Sequence, residues 1–173
     1  MVESDVFWGR CPYKTNRREE WRRRLFPVKK VSIVFQGEFQ HGLDAKGRLI
    51  LPAKIREELG TQFVLTKGMD GCLFIFPPES WENFAGKLNA LPTSSRQARK
   101  LKRYFIGSSI ECETDKQARF LNPPVLRSFA EIDKELTVLG VSDRIELWST
   151  EKYDAYQNEE DESIEDIAGD LDF

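Results

Sequence analysis

Asp44–Pro52 reads DAKGRLILP, and Asp115–Pro123 reads DKQARFLNP. Asp, Arg and Pro recur at a shift of 71 residues, so the second stretch repeats the pattern of the first. Further along the chain, Val64–Leu65 matches Val138–Leu139 at a shift of 74, which predicts three extra residues in the loop after the second short helix. Self-similarity at a long period is typical of one structural unit built more than once. The sequence therefore predicts two copies of one small module.

The sequence of each copy predicts the same order of elements: strand, tight turn, strand, short helix, strand, turn, strand. Asp44–Arg48 has turn composition, and Gly47 is free to take a positive φ. Leu49–Leu51 is a short apolar strand. Pro52 suits the first helical position, and Gly60 suits the position just past the helix end. The predicted fold is mainly β with short helices, an α+β fold made of two repeated modules.

Two helices are predicted between the copies. The first has apolar residues at helical spacing, and the second follows a Thr-Ser-Ser cap and ends at Phe105. In the second helix, Ala98 and Leu101 are expected to face inward with Phe105. The chain is accordingly divided into a basic extension, 1–33, a first module, 34–86, linker helices, 87–111, a second module, 112–158, and an acidic tail, 159–173.

Charge is unevenly distributed along the chain. Residues 1–33 carry 9 Lys and Arg against 4 Asp and Glu, residues 34–149 carry 16 against 15, and residues 150–173 carry 1 against 10. The net charge of -3 therefore comes from the tail, and bulk charge neither favours nor excludes nucleic acid. The extension is interpreted as an unstructured segment or a start codon placed too early, with an arm that touches phosphates as the alternative. The acidic tail is expected to be mobile or partly helical.

Several classes of function have no support in the sequence. The cysteines at positions 11, 72 and 112 are far apart and His41 is the only histidine, so we expect no zinc site and reduced, cytosolic thiols. There is no apolar run of about 18 residues and no apolar core of a secretory signal, so no membrane association is expected. No phosphate-binding glycine loop or nucleophile–base pair is evident. We therefore expect no enzyme activity, metal, cofactor or small-molecule substrate.

Four stretches resemble a known family: Phe35-x-Gly37-Glu38, Leu43–Arg48, Pro52-x-x-x-Arg56-Glu57 and Gly140–Trp148. The family is MraZ, within the wider group of SpoVT/AbrB-like looped-hinge DNA-binding domains, and the resemblance covers about residues 34–158. It implies tandem modules of a double-split β-barrel type, each with one Asp-x-x-x-Arg loop. It also implies a ring-shaped homo-oligomer that binds short, G-containing direct repeats in double-stranded promoter DNA. The expected targets are division and cell-wall genes, including the protein's own operon, and the expected location is the cytoplasm, at the nucleoid.

The two Asp-x-x-x-Arg loops are the candidate DNA-binding sites. Arg48 and Arg119 stand at the base of a β turn, and an arginine that pairs with guanine O6 and N7 gives about 1–3 kcal/mol of discrimination. Lys46 and Lys116 are expected to contact phosphates, which sets register and salt dependence. These four residues are the predicted DNA-binding set.

Asp44 and Asp115 would repel phosphate, so a different role is predicted for them. With Gly47, they are interpreted as orienting the loop, by accepting backbone N–H groups or by pairing with the arginine. The alternative is an ordinary surface ion pair worth about 0–1 kcal/mol. Recurrence of the motif at matched positions favours the orienting role.

The second copy departs from the family pattern. Ala118 stands where the family usually has glycine, which costs roughly 1 kcal/mol if the backbone needs a positive φ. Its lysine moves to the second position of the motif, and Asn122 replaces an apolar residue. The predicted contribution of Arg119 to base reading is therefore smaller than that of Arg48.

Two further basic groups are interpreted mainly as solvated helix faces. Arg56 and Arg127 follow helix starts at matched positions, and contact with phosphate or a neighbouring subunit is the alternative for them. The cluster Arg96–Arg103 could extend a basic surface in an assembled ring.

The predicted function is a sequence-specific DNA-binding transcription regulator that acts as a homo-oligomer. The alternative is an antitoxin-like protein-interaction module that uses the acidic tail to hold a basic partner.

Overall fold

The computed structural model describes residues 34–158 and 164–171. The predicted basic extension, residues 1–33, lies outside the described residues. The strands are β1 (Phe35–Gly42), β2 (Arg48–Ile50), β3 (Gln62–Lys67), β4 (Leu73–Phe76), β5 (Ile110–Glu113), β6 (Arg119–Leu121), β7 (Glu135–Ser142) and β8 (Arg144–Ser149). The helices are α1 (Ala53–Leu59), α2 (Pro78–Ala90), α3 (Arg96–Phe105), α4 (Pro124–Phe129), α5 (Thr150–Gln157) and α6 (Ile164–Asp170).

The predicted element order is confirmed in both copies. Two residues separate α1 from β3 and five separate α4 from β7, which accounts for the three extra residues inferred from the repeat. The mainly β fold with short helices is likewise confirmed. One prediction is wrong by a residue: Pro52 precedes the first helical residue instead of occupying that position, because its ψ of 142° is extended. Gly60 follows α1 with a φ of 78°, as predicted.

The two copies share one antiparallel sheet. Its strand order is β1-β7-β8-β4-β3-β5, so the first strand of each copy pairs with the third strand of the other copy. The long pairing of β1 with β7 runs from Phe35 opposite Ser142 to Gly42 opposite Glu135. The predicted boundary at 86/87 falls inside α2 and the boundary at 111/112 inside β5. The module boundaries stay a prediction, since strands from both copies interleave.

A separate two-stranded ribbon is formed by β2 and β6, one strand from each copy. Arg48 lies opposite Leu121, Leu49 opposite Phe120, and Ile50 opposite Arg119. Side chains alternate between the faces of a strand, so Leu49 and Phe120 point to the same side. Both are buried, at 0% and 2% exposure. The ribbon is therefore attached to the molecule by its central pair.

The ribbon and the large sheet enclose the main core. Phe120 packs edge-on against Phe63 of β3, with 4.9 Å between ring centroids. The rest of this core comes from the sheet and the two short helices, with Leu51, Ile55, Leu73, Leu126, Leu136, Val138 and Leu147 among its members. Both copies contribute to it, which removes the marginal burial that a module of this size would have alone.

A second core lies between α2, α3 and the sheet, with Phe76, Leu88, Phe105 and Trp148 at its centre. Ser95 caps α3 by accepting a hydrogen bond from the Ala98 backbone N–H, 3.3 Å away. The expectation that Leu101 faces inward is wrong, because it is 38% exposed. The covered side of α3 runs through Ala98, the stem of Lys102 and Phe105, whose spacing places them on one helix face.

Part of the acidic tail is helical, as α6. Across residues 34–158 and 164–171, every helix is too short or too polar to cross a bilayer.

Candidate nucleic-acid interface

Two tight turns lie at opposite ends of the β2–β6 ribbon. In the first, the Gly47 backbone N–H donates to the Asp44 carbonyl at 2.8 Å, and the Asp44 N–H donates to the Arg48 carbonyl at 2.9 Å. In the second, Ala118 and Asp115 donate in the same way, at 2.9 and 2.7 Å. The two turns therefore share the same backbone hydrogen bonds, and in each an arginine is the first residue of a ribbon strand.

The aspartate of each turn organises the loop from inside. Asp44 Oδ1 accepts the backbone N–H groups of Lys46 and Arg48 at 2.8 and 2.9 Å, while Oδ2 accepts Arg48 Nε at 2.7 Å. Asp115 Oδ1 accepts the backbone N–H groups of Gln117 and Arg119 at 2.8 and 3.0 Å. Each carboxylate thus makes both kinds of contact that the sequence suggested. The arginine is held to its own turn at one edge.

The two arginines are held differently. Arg48 uses Nε for its aspartate, and its two terminal nitrogens make no hydrogen bond to the described part of the chain. Arg119 binds Asp115 Oδ2 through both Nε and Nη2, at 2.9 and 2.8 Å. A bidentate contact to guanine needs two N–H donors of one guanidinium. Both terminal nitrogens of Arg48 therefore keep all their N–H donors free, whereas Arg119 has one of the two N–H donors of Nη2 engaged with Asp115.

Gly47 lies against a residue of the other copy, a contact that local sequence patterns do not predict. Its φ is 74°, and a Cβ built on it would collide with Nη1 of Arg127, which belongs to α4. The Asn122 backbone N–H also donates to the Gly47 carbonyl at 3.0 Å. Gly47 is buried although the preceding residues of the turn, Asp44 to Lys46, are exposed. Arg127, predicted to lie on a solvated helix face, is half-buried with its guanidinium beside the first loop.

Comparison with known proteins shows the family of this chain. The family described as "MraZ protein, putative antitoxin-like" matches twice in tandem, over residues 34–104 and 105–172. This chain belongs to the MraZ family. A Thermoanaerobacter sp. (strain X514) protein named "Transcriptional regulator MraZ" is 49% identical over 139 residues, 80% of this chain and 97% of its own length. A protein of the same name from Lactiplantibacillus plantarum is 46% identical over 138 residues, 80% of this chain and 98% of its own.

In this MraZ chain the second turn, where Ala118 stands at the position of Gly47 in the first, has a strained backbone. Ala118 has a φ of 59°, in the left-handed region that glycine occupies without a steric penalty. We expect Ala118→Gly to raise the free energy of unfolding by up to about 1 kcal/mol, since relief of strain exceeds the added entropy of the unfolded chain. We expect Gly47→Ala to lower it by about 1–2 kcal/mol, because an alanine there takes on the same left-handed strain, while the flexible end of Arg127 can move away from the new Cβ. Urea denaturation of both variants checks the two signs, and a stabilising Gly47→Ala would contradict this account.

Both aspartates have lowered pKa values. The hydrogen bond from the Arg48 backbone N–H is the main cause for Asp44. For Asp115, the hydrogen bond from the Arg119 side chain leads, and the pKa falls to about 2. Both carboxylates are therefore charged at neutral pH, and the arginines stay tethered.

The lowered pKa of Asp115 predicts how the free energy of unfolding changes at acid pH. A carboxyl whose pKa is lower in the folded than in the unfolded protein stabilises the fold above its unfolded pKa, about 4, and loses that effect as it becomes protonated. We expect the stability difference between the wild type and Asp115→Asn to be constant from pH 5 to 8 and to shrink as pH falls from 4 towards 2. Denaturation at a series of pH values measures it, with Asp133→Asn on an exposed loop as the control. A difference that grew on acidification would contradict the assignment.

Two other groups of basic residues were singled out from the sequence. Lys46 and Lys116 are exposed, as contact with phosphate requires. In α3, Arg99 Nη1 donates to the carbonyls of Thr93 and Ser94 at 2.7 and 2.8 Å. These bonds hold the connection before the helix in place. The α3 cluster thus has a structural use in addition to its exposed charge.

The described cysteines do not form a reactive site. Burial raises the pKa of the Cys72 thiol far above its ordinary value, and it raises the pKa of Cys112 to about 11. Both stay protonated, whereas the thiolate is the nucleophile and metal ligand. Within the described ranges, no three His, Cys, Asp or Glu side chains come together as a metal site.

Proposed function

We propose that this chain is a DNA-binding transcription regulator that reads bases with Arg48 and Arg119 and contacts phosphates with Lys46 and Lys116. The observation that carries the proposal is the β2–β6 ribbon, which brings one Asp-oriented arginine from each copy to the same outward face. The names of its relatives, "Transcriptional regulator MraZ", support it.

The chemistry of the ribbon suits the major groove of duplex DNA. That groove admits a two-stranded β-ribbon, and guanine presents O6 and N7 there as acceptors for an arginine. The turns and strands at residues 44–50 and 115–121 carry four cations and two carboxylates, a net +2. The carboxylates are engaged with backbone N–H groups and arginine. Asp44, Asp115 and Gly47 would thus hold the readers at a fixed angle without facing phosphate.

A single ribbon offers too few base contacts for tight binding, which favours an assembly. We propose a ring-shaped homo-oligomer that engages short direct repeats in phase. Each further ribbon then binds at high effective concentration, and avidity can rise by about 10²–10⁴. The proposed targets are promoters of the division and cell-wall gene cluster, including the protein's own operon. The proposed location is the cytoplasm, on the nucleoid, with no catalytic activity.

The test is binding to one, two, three and four copies of the preferred sequence, which is first selected from a random duplex pool. Gel shifts at fixed salt are expected to show weak binding to one copy and much tighter binding to several. Arrays with the copies moved half a helical turn apart are the control, because they keep the sequence and change only the phase. Affinity that does not depend on copy number would reject the ring, and failure to enrich any sequence would reject the regulator.

One observation favours the antitoxin-like alternative. In the acidic tail, Ile164, Ile167 and Leu171 are 77%, 36% and 74% exposed. Their spacing places them on one side of α6 and of the residue that directly follows it, Leu171. An acidic helix with an exposed apolar stripe suits a partner that combines a basic rim with an apolar groove. A small basic protein that co-purifies with the full chain, but not with Ile164→Ser/Leu171→Ser, would establish this function. Co-purification of DNA alone would count against it.

A further inference from the structure

The outward face of the β2–β6 ribbon carries apolar side chains between its arginines. Because residues directly opposite in an antiparallel pair share a face, Arg48, Ile50, Arg119 and Leu121 all lie on the side away from the core. Ile50 is 43% exposed and Leu121 is 54% exposed. An aliphatic residue therefore occupies the same place in both copies, on the surface that presents the arginines.

The register places each aliphatic residue beside an arginine of the other strand. Leu121 is directly across from Arg48, and Ile50 is directly across from Arg119. Opposite side chains in such a pair are about 5 Å apart. Each end of the ribbon thus presents one guanidinium next to one apolar group, and the two ends are related by the repeat.

We propose that Ile50 and Leu121 contact the methyl groups of thymines, so that each end of the ribbon reads a thymine beside a guanine. The proposal rests on the function proposed above and adds a second base to it. The thymine methyl is the apolar feature of the major-groove edge, and apolar side chains are its natural partners. From strand geometry, Arg48 and Arg119 are about 8 Å apart at the backbone. The rise of the duplex is about 3.4 Å per base, so the two reading centres are two to three base pairs apart.

The chemistry of the face favours DNA over a second protein subunit as its occupant. Two aliphatic side chains are far smaller than the roughly 800 Å² per partner that a stable protein interface buries. A protein partner would also have to desolvate both arginine–aspartate pairs, which is costly without matching charges. A duplex supplies the complementary charge at the same contact.

The experiment removes the thymine methyl groups one at a time. The selected duplex is prepared with each thymine replaced singly by deoxyuridine, and affinities are measured for the wild type, Ile50→Ala, Leu121→Ala and Val125→Ala. Val125, 75% exposed on α4 and outside the ribbon face, is the matched control. Loss of one buried methyl group is expected to weaken wild-type binding about fourfold at a thymine next to guanine.

The variants are expected to lose this sensitivity selectively. Ile50→Ala should bind the original duplex several-fold more weakly and show no further loss at one uracil position, while Leu121→Ala does the same at another. Val125→Ala should behave as the wild type. The inference is overturned if no thymine matters, or if the alanine variants keep the full uracil effect. Failure of the wild type to prefer any duplex would reject the proposed function itself.

Sedimentation of the Ile50→Ala/Leu121→Ala double variant distinguishes a DNA-binding face from a subunit interface. The mass of the assembly is expected to be unchanged, because on this proposal the face binds DNA and takes no part in contacts between subunits. A smaller assembly would assign these side chains to contacts between subunits and overturn the inference.

Discussion

Arg48→Ala is expected to remove most sequence-specific DNA binding, while Arg119→Ala leaves a larger part of it. The terminal nitrogens of Arg48 are entirely free for guanine, whereas Arg119 has committed one N–H of Nη2 to Asp115, which holds its guanidinium more tightly to the turn. A bidentate arginine–guanine contact is worth about 1–3 kcal/mol, or roughly 5- to 150-fold in affinity. In an assembly on repeated sites this loss is multiplied, because every ribbon loses the same contact.

The measurement is a titration at controlled salt with the selected duplex and with an unrelated duplex. Only specific binding should fall for Arg48→Ala, since the proposed phosphate contacts of Lys46 and Lys116 would remain. Lys87→Ala, an exposed substitution on α2, is the control for a lost surface charge. Equal losses for Arg48→Ala and Arg119→Ala would contradict the unequal roles. An equal fall on both duplexes would make Arg48 a phosphate contact.

Phe120→Ala is expected to lower the free energy of unfolding by about 3–5 kcal/mol. Phe120 is 2% exposed and packs edge-on against Phe63, so its loss leaves a cavity between the ribbon and the main sheet. That amount is a large fraction of the stability of a typical domain. DNA binding should fall as well, because the central pair of the ribbon supports both arginines.

Urea denaturation at a fixed protein concentration measures this effect, since the proposed assembly would make stability depend on concentration. Leu121→Ala is the matched control one residue away: its side chain is 54% exposed, so a change within about 0.5 kcal/mol is expected. A loss below about 1 kcal/mol for Phe120→Ala would mean that the ribbon does not depend on its buried pair.

Much of the site could be predicted from the chain because its determinants are local. The Asp-x-x-x-Arg spacing produces a turn in which one carboxylate reaches its own backbone and its own arginine, and both copies form it. The sequence analysis predicts strain at Ala118 if the turn needs a positive φ there, and the structure shows that φ to be positive. The roles of Arg48, Arg119 and the two lysines in binding DNA stay predictions.

The errors arose where a local pattern did not specify its neighbours. Leu101 was expected inward because it fits an apolar spacing, but α3 covers that side with the stem of Lys102, whose ammonium donates to the Leu91 carbonyl at 3.0 Å. Arg127, which follows the start of α4, was interpreted mainly as part of a solvated helix face. Its guanidinium lies instead against Gly47, which is 80 positions earlier in the chain.

The sequence was sufficient to determine the duplication, the order of strands and helices in each copy, and the turn that carries each arginine. These depend on residue type and short-range spacing, and each copy contains them independently. Only the tertiary structure decided that β1 pairs with β7 and β2 with β6, so that one ribbon holds both arginines on one face. Such pairings join residues that are distant in the chain. The β2–β6 pairing buries Leu49 and Phe120, and the β1–β7 pairing buries Phe35, Leu136 and Val138, all in one shared core that no local pattern can specify.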